Sequence, residues 1–412
     1  MKRPAAQSTS RIFRSHLFRC LCKGNLAEAH KVDATLYGMS GPEKVSVVTV
    51  RCTSYSCRRT YGPNFYIEQS EKINTLPDVD VAGEAIFISP KIGFTVNYLR
   101  YHMLLEFRAF ASARAALDVY SRVYDIEHCS GGGHFRDVHG SAIMYFIALT
   151  EYPAASIPMT FAIGHEATSQ SVEAYDRYVH NHAFPPSNKR KVTEIVCDGH
   201  AKVHVKCGAL DKKHPGKPRA NGKRKPYGYG WFMAVDPRTL RVLGVSCLHQ
   251  PEGNEVMDGI LTRLLPKYPL LDGVVMDRAC AFLPHAKRTR KFAQVGYWCV
   301  DYFHGAKHSD QCPCNPHHVR RLNRRFASVN TSAAEQVFSW FRQYARVLNE
   351  LSPHRHHLKV LVFCKLHNDV CRRGRPGYLS QFPYKRKKVS KAYSCSMKCQ
   401  KTALKKRPAC RV

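Results

Sequence analysis

From Thr193 to Cys207 the chain alternates, with Ala201, Val203 and Val205 on one face and Lys202, His204 and Lys206 on the other. A period of two predicts a β-strand. Residues 211–227, DKKHPGKPRANGKRKPY, break the alternation with Pro, Gly, Asn and clustered basic residues, and read as a solvated loop. Beyond it, GYGWFMAVDPRTLRVLGVSCL predicts two strands joined at Asp236, Pro237 and Arg238, so three antiparallel strands are expected. NEVMDGILTRLLPKY then puts Val256, Ile260, Leu264 and Leu265 on one helical face, and LLDGVVMDRAC is a short apolar strand ending in Asp277. A helix over HAKRTRKFAQV and a strand over GYWCVDYFH follow. Last comes the amphipathic helix NTSAAEQVFSWFRQYARVLNEL, capped by Asn330 or Thr331, with Val337, Trp340, Phe341, Tyr344 and Leu348 as its apolar stripe.

The order strand, strand, strand, helix, strand, helix, strand, helix is that of an α/β domain of RNase H-like type, a mixed sheet flanked by helices. It predicts a catalytic domain over residues 191–375. Ahead of it, the segment Ser89 to Tyr124 opens at Ser-Pro and runs with helical spacing, which sets a helical subdomain at 86–190. That segment is either a helix-turn-helix or a plain helical layer on the core. Residues 1–85 form a small Cys-rich, zinc-ribbon-like region, and 376–412 a basic disordered tail without Asp or Glu from Tyr384 onward.

Asp198 changes the picture, because it follows Ile195, Val196 and Cys197 in a strand that should be buried. An ionised acid there costs several kcal/mol unless it is paired or binds a metal. In the expected sheet the first and fourth strands lie side by side, so Asp198 and Asp277 meet near their ends and Glu335 swings over from the last helix. Three converging carboxylates repel one another, and Mg²⁺ or Mn²⁺ ions, which prefer oxygen ligands, hold them ionised together. Two such ions support in-line phosphoryl transfer, with Asp198 bridging both and Asp277 and Glu335 each holding one. Asp301 is the rival acid: it either joins the triad or orients His304 or His308 from behind.

The charge names a partner. Lys and Arg number 64 against 31 Asp and Glu in 412 residues, a formal net charge of +33. Such self-repulsion calls for a polyanion, and nucleic acid is the first candidate. Lys202, Arg278, Lys287, Arg288 and Arg290 are expected to flank the acids and hold phosphates, with Arg320, Arg321, Arg324 and Arg325 extending the track. The KRKK and KKR clusters of the tail resemble nuclear import signals, while the acid-free start of the chain could pass for an organellar transit peptide. No apolar run approaches the roughly 18 residues of a membrane span.

Seventeen cysteines without a secretory signal point to reduced thiols and zinc sites. His304, His308, Cys312 and Cys314 offer thiolate and imidazole in one Pro-rich loop; they either hold zinc or are incidental. Cys20 and Cys22 with Cys52 and Cys57 offer a second, four-thiolate site.

Four segments in this order, VCDGHAK, GVVMDRAC, WCVDYFHGAKHSDQC and NTSAAEQVFSWF...HLKVLVFCKLHN, resemble the DDE transposases of the Kyakuja, Dileera and Zisupton (KDZ) superfamily over roughly residues 85–370. RCTSYSCRRTYGPNFY, from Arg51, is similar to the cysteine cluster that accompanies them. The resemblance implies Asp198, Asp277 and Glu335 as the acidic triad, DNA cleavage and strand transfer at transposon ends, a nuclear location and a homo-oligomer. The alternatives are a catalytically silent DNA-binding or chromatin protein on the same fold, and a cellular RNase H-like nuclease.

Overall fold

A computed structural model describes residues 11–15, 17–68, 71–74, 84–126, 134–156, 169–186, 191–206 and 228–373. The chain divides into two units, Met1–Pro376 and Gly377–Val412, and everything described belongs to the first. The basic loop 211–227 and the basic tail lie outside the described residues, as does the start of the chain up to residue 10.

Two mixed sheets and their helices make up the described unit. The first sheet holds β1 (Ile12–Arg14), β2 (Leu26–Gly38), β3 (Gly41–Cys52), β4 (Thr60–Tyr61), β5 (Phe65–Glu68), β6 (Glu71–Asn74), β7 (Ala85–Ser89) and β8 (Ile92–Thr95), in the order β6-β5-β4-β3-β2-β8-β7, with β1 against β3. Its long β2–β3 hairpin follows the period-two rule: Ala34 and Leu36 pack with Val45, Val47 and Phe87, while Asp33 faces solvent. The hairpin turns at Gly41, whose φ of +98° favours glycine and where a Cβ would meet the Tyr124 ring at 2.8 Å.

This sheet corrects two expectations. The N-terminal region is far more than a ribbon, and its sheet runs past residue 85 into the β7–β8 hairpin. Ser89 ends β7 and opens no helix. The helix starts after Thr95, whose hydroxyl caps it by accepting from Tyr98 N, and α1 spans Val96–Ala109. α2 (Ala113–Val123), α3 (His134–Ala154) and α4 (Ser169–Val179) complete the helical layer.

The second sheet contains β9 (His182–Ala183), β10 (Glu194–His200), β11 (Gly230–Val235), β12 (Val242–Leu248), β13 (Gly273–Met276) and β14 (Tyr297–Cys299), in the order β14-β13-β10-β11-β12-β9. β10, β13 and β14 are mutually parallel; β11, β12 and β9 add antiparallel strands. Both faces are covered, which explains why β11 and β12 are buried throughout instead of alternating. On one face α5 (Asn254–Leu264) and α6 (Ala279–Thr289) pack Met257, Ile260, Leu264 and Phe282 against Ile195, Cys197 and Phe232. The other face takes α9 (Ala333–Phe341) and α11 (Pro353–Arg373), where Trp231 Nε1 donates to His356 Nε2 at 2.9 Å. The short helices α7 (Tyr302–Gly305), α8 (Pro316–Leu322) and α10 (Ala345–Leu348) lie along the chain between α6 and α11.

α11 ties the layers together. Lys359 forms a buried ion pair with Glu106 of α1 at 2.6 Å, Lys365 reaches Glu151 of α3, and Asn368 bonds both the N–H and the carbonyl of Val242 in β12.

Four element boundaries differ from the sequence reading. The strand expected to Cys207 stops at His200, because Asn349 takes the backbone of His204 and Lys202 out of the ladder; Val203 and Val205 still bury, and Cys207 lies outside the described residues. The helix expected over 285–295 runs instead over Ala279–Thr289 and ends where Arg290 turns left-handed at φ 55°. Asn330 and Thr331 do not cap α9: Ser332 holds that position, Asn330 accepts from Ser332 N, and Thr331 accepts from Tyr302 N. The helix also breaks after Phe341 into a 3₁₀ turn before α10.

Candidate active site and metal centres

Parallel strands put acids in a row. Cys197 pairs with Met276 and Val275 with Cys299, so Asp198, Asp277 and Asp301 lie together at the carboxyl ends of β10, β13 and β14. Asp301 is buried and caps α7, accepting from His304 N at 3.0 Å, and its other oxygen lies 2.6 Å from His304 Nδ1. The same ring nitrogen is 3.7 Å from Asp277 Oδ1. Asp277, Asp301 and His304 thus offer three ligand atoms within 4.8 Å of one another, a group that could hold a metal ion.

The other acids close around this group. Burial raises the Asp198 carboxyl to about 7; Glu252 and Glu335 push the same way, while the Gly199 N–H and His304 oppose them. Glu335, exposed on the first turn of α9, is also raised, by partial desolvation and by Asp301, against the pull of His304. Its helix is fixed over β10 by Phe338, one turn along, whose ring stacks on His200 at 4.7 Å. His304 feels the same acids: burial disfavours its cation, but Asp301, Asp277 and Asp198 together raise its pKa.

Glu252, just before α5, was missed by sequence reasoning. Its Oε2 lies 2.5 Å from where a Gly199 Cβ would sit, so glycine at 199 leaves the space it occupies. Burial and Asp277 raise its carboxyl, and Arg278 holds its backbone carbonyl. The only signal in the sequence was an acid at a helix start, PEGNEV, which ordinary helix dipoles explain equally well.

The basic residues scatter. Arg278 sits beside Asp277, but Lys287, Arg288 and Arg290 lie at the far end of α6, about 15 Å along the helix. They do not flank the acids. Lys202, Arg320, Arg321, Arg324 and Arg325 are exposed, the last four on α8 and the 3₁₀ turn after it.

Two thiol groups stand apart from the acids. Cys20 and Cys22 lie on the loop before β2, Cys52 ends β3, and Cys57 follows in a turn; the four thiols gather within 4.8 Å and could hold one metal ion. Their Sγ–Sγ approaches of 3.5 Å, Cys20 to Cys57 and Cys22 to Cys52, exceed the roughly 2.05 Å of a disulfide. Burial opposes ionisation of Cys20, yet the Tyr61 hydroxyl at 3.0 Å and the Cys22 backbone bring its thiol down to about 6. Tyr61 and Phe65 beside the cluster are buried and pack in the core. The second group corrects the expected ligand set: Cys280, His308 and Cys312 converge, and His304 leaves them for the acids because Asp301 caps its helix and takes its ring.

No protein-family model, curated protein or solved structure matches the chain. No described helix is long and apolar enough to cross a membrane.

Proposed function

We propose that the chain is a metal-dependent polynucleotidyl transferase of RNase H-like type, a DDE recombinase similar to the KDZ transposases, acting on DNA. The observation that carries this reading is the gathering of Asp198, Asp277, Asp301, Glu252 and Glu335 at one end of a sheet in a protein of net charge +33. A cluster of acids in so basic a chain is a poor phosphate site by itself, and a good one once cations bind. The strand order 3-2-1-4-5, read from β12 to β14 with only the last two crossovers parallel, supports the RNase H-like assignment.

The donor set fits hard divalent cations, since carboxylate oxygens dominate it and His304 is the one nitrogen ligand in the Asp277–Asp301–His304 group. Asp198, Asp277 and Glu335 would hold the Mg²⁺ or Mn²⁺ ions. Bound there, the ions supply activation of a water or 3′-hydroxyl and charge neutralisation at the leaving oxygen of an in-line displacement. Asp301 holds His304 in one tautomer and orientation, with Nδ1 toward the carboxylates. Glu252 adds a further acid on the α5 side. Exposed Arg278, Lys202 and the Arg320–Arg325 cluster would hold the DNA backbone without reading sequence. The four-cysteine cluster is read as a structural zinc site, and nuclear location and a homo-oligomer belong to the same reading.

The test is a labelled duplex incubated with full-length protein and Mn²⁺. Nicking followed by joining of a donor 3′-hydroxyl to a second duplex supports the recombinase; nicking alone points to a nuclease. DNA binding without either, at every metal concentration, would sink the enzymatic reading in favour of a silent DNA-binding protein.

A further inference from the structure

Cys280 opens the first turn of α6, three residues after Asp277, and His308, Cys312 and Cys314 lie in the loop after α7, a few residues beyond Asp301 and His304. Far apart in sequence, they meet in space. Cys280 Sγ is 3.0 Å from Cys312 Sγ and 3.3 Å from His308 Nδ1, and Cys312 Sγ is 3.8 Å from the same nitrogen. The buried Cys314 thiol interacts electrostatically with Cys280 and Cys312, though it stands outside the three ligand atoms that lie within 4.8 Å of one another. A sulfur pair at 3.0 Å is too long for a disulfide of roughly 2.05 Å. Zinc bonds of about 2.3 Å to sulfur and 2.0 Å to nitrogen give tetrahedral edges of roughly 3.5 to 3.8 Å, and the three approaches bracket that range.

We propose that Cys280, His308, Cys312 and Cys314 bind one structural Zn²⁺ that clamps the start of α6 to the α7–α8 loop and so holds Asp277 in place against Asp301 and His304. Three thiolates and an imidazole saturate a tetrahedral ion and leave no open position for catalysis. The loop needs such a staple. AKHSDQCPCNP, residues 306–316, carries almost no large apolar side chain, and apart from the cluster it is held by backbone turns, by Asn315 Nδ2 donating to the carbonyls of His308 and Ser309, and by Val300 N donating to Cys314 O. Cys280 lies one helical turn after Asp277, and His308 and Cys312 sit in the loop that follows Asp301 and His304, so the ion would fix the separation of the β13 and β14 carboxylates. The clamp function rests on the reading of those acids as a metal site; the zinc itself does not.

The experiment is zinc quantification on the full-length protein, with the four-cysteine cluster removed as a variable. In a Cys22→Ser/Cys52→Ser background the expected content is one zinc per chain, and Co²⁺ in its place should give the intense near-ultraviolet thiolate charge-transfer band of a three-sulfur site. Adding Cys280→Ala and Cys312→Ala should take the content to zero and abolish the band, whereas His304→Ala should leave both unchanged. If the alanine variants fail to fold, His308→Cys, which keeps four ligands, should fold and retain the zinc. Zinc that persists without Cys280 and Cys312, or that disappears with His304, overturns the site. Mn²⁺ titration tests the clamp: loss of zinc should weaken Mn²⁺ binding at least tenfold, while Asp277→Asn removes Mn²⁺ and leaves zinc in place. Unaltered Mn²⁺ affinity in the zinc-free variant overturns the clamp. Absence of strand cleavage throughout, with zinc present, would count against the recombinase reading alone.

Discussion

Asp277 and Asp301 sit two residues beyond one register pair, Val275 with Cys299, and His304 Nδ1 reaches both carboxylates, at 3.7 and 2.6 Å. Parallel pairing therefore does for two distant acids what a short motif does for neighbouring ones. Asp277 has the more exposed carboxylate of the two, while Asp301 is taken up by its cap and its histidine.

Asp277→Asn is expected to lower Mn²⁺-dependent cleavage at least 100-fold and to leave DNA affinity and its salt dependence unchanged. One neutralised ligand removes a cation but none of the basic surface. Single-turnover cleavage and binding across a salt series check it; a fully active variant would remove Asp277 from the site.

Glu252→Gln and Gly199→Ala should behave alike. The first neutralises the acid, and the second places a methyl group 2.5 Å from its Oε2 and displaces it. Both should weaken Mn²⁺ binding about tenfold or more, measured by titration calorimetry, with the double variant no worse than either single one. Additive losses would mean that Gly199 acts through something other than Glu252.

The buried Lys359–Glu106 pair should be unforgiving. Glu106→Gln alone leaves a charge without its partner in the core and should cost about 3–5 kcal/mol in denaturant unfolding, whereas Glu106→Leu with Lys359→Met should recover most of it. A single variant as stable as the parent would show that water reaches the lysine.

Stability should also fall in mild acid. Burial lowers the His102 pKa from 6.5 to about 4, so between those values the unfolded chain binds the extra proton. The contribution is complete above about pH 6.5 and is lost as pH falls toward 4, up to about 3 kcal/mol. His102→Phe suits the ring cluster of Tyr98 and His139 and loses an Nδ1 that has no hydrogen-bond partner. It should flatten the acid limb of a melting-temperature profile; an identical profile would shift the blame to His139 or His182, which burial lowers too.

The hydrophobic pattern by itself determined β11, β12, β13, α5 and the existence of α9, because the three strands are continuous apolar runs bounded by turn residues and the two helices bury one face at helical spacing. It also singled out Asp198, since an acid after Ile195–Cys197 violates that pattern. The tertiary structure alone decided what depends on register and on distant partners. Asn349 ends β10 from across the fold, Gly199 admits Glu252, and Asp301 draws His304 away from the thiols so that Cys280 takes its place. The eight-stranded first sheet was equally hidden: its strands are short or half exposed, and β2 joins β8 only through a pairing that local periodicity does not encode. Local burial leaves a trace in the order of residues, whereas a contact between chain segments leaves none until the chain has folded.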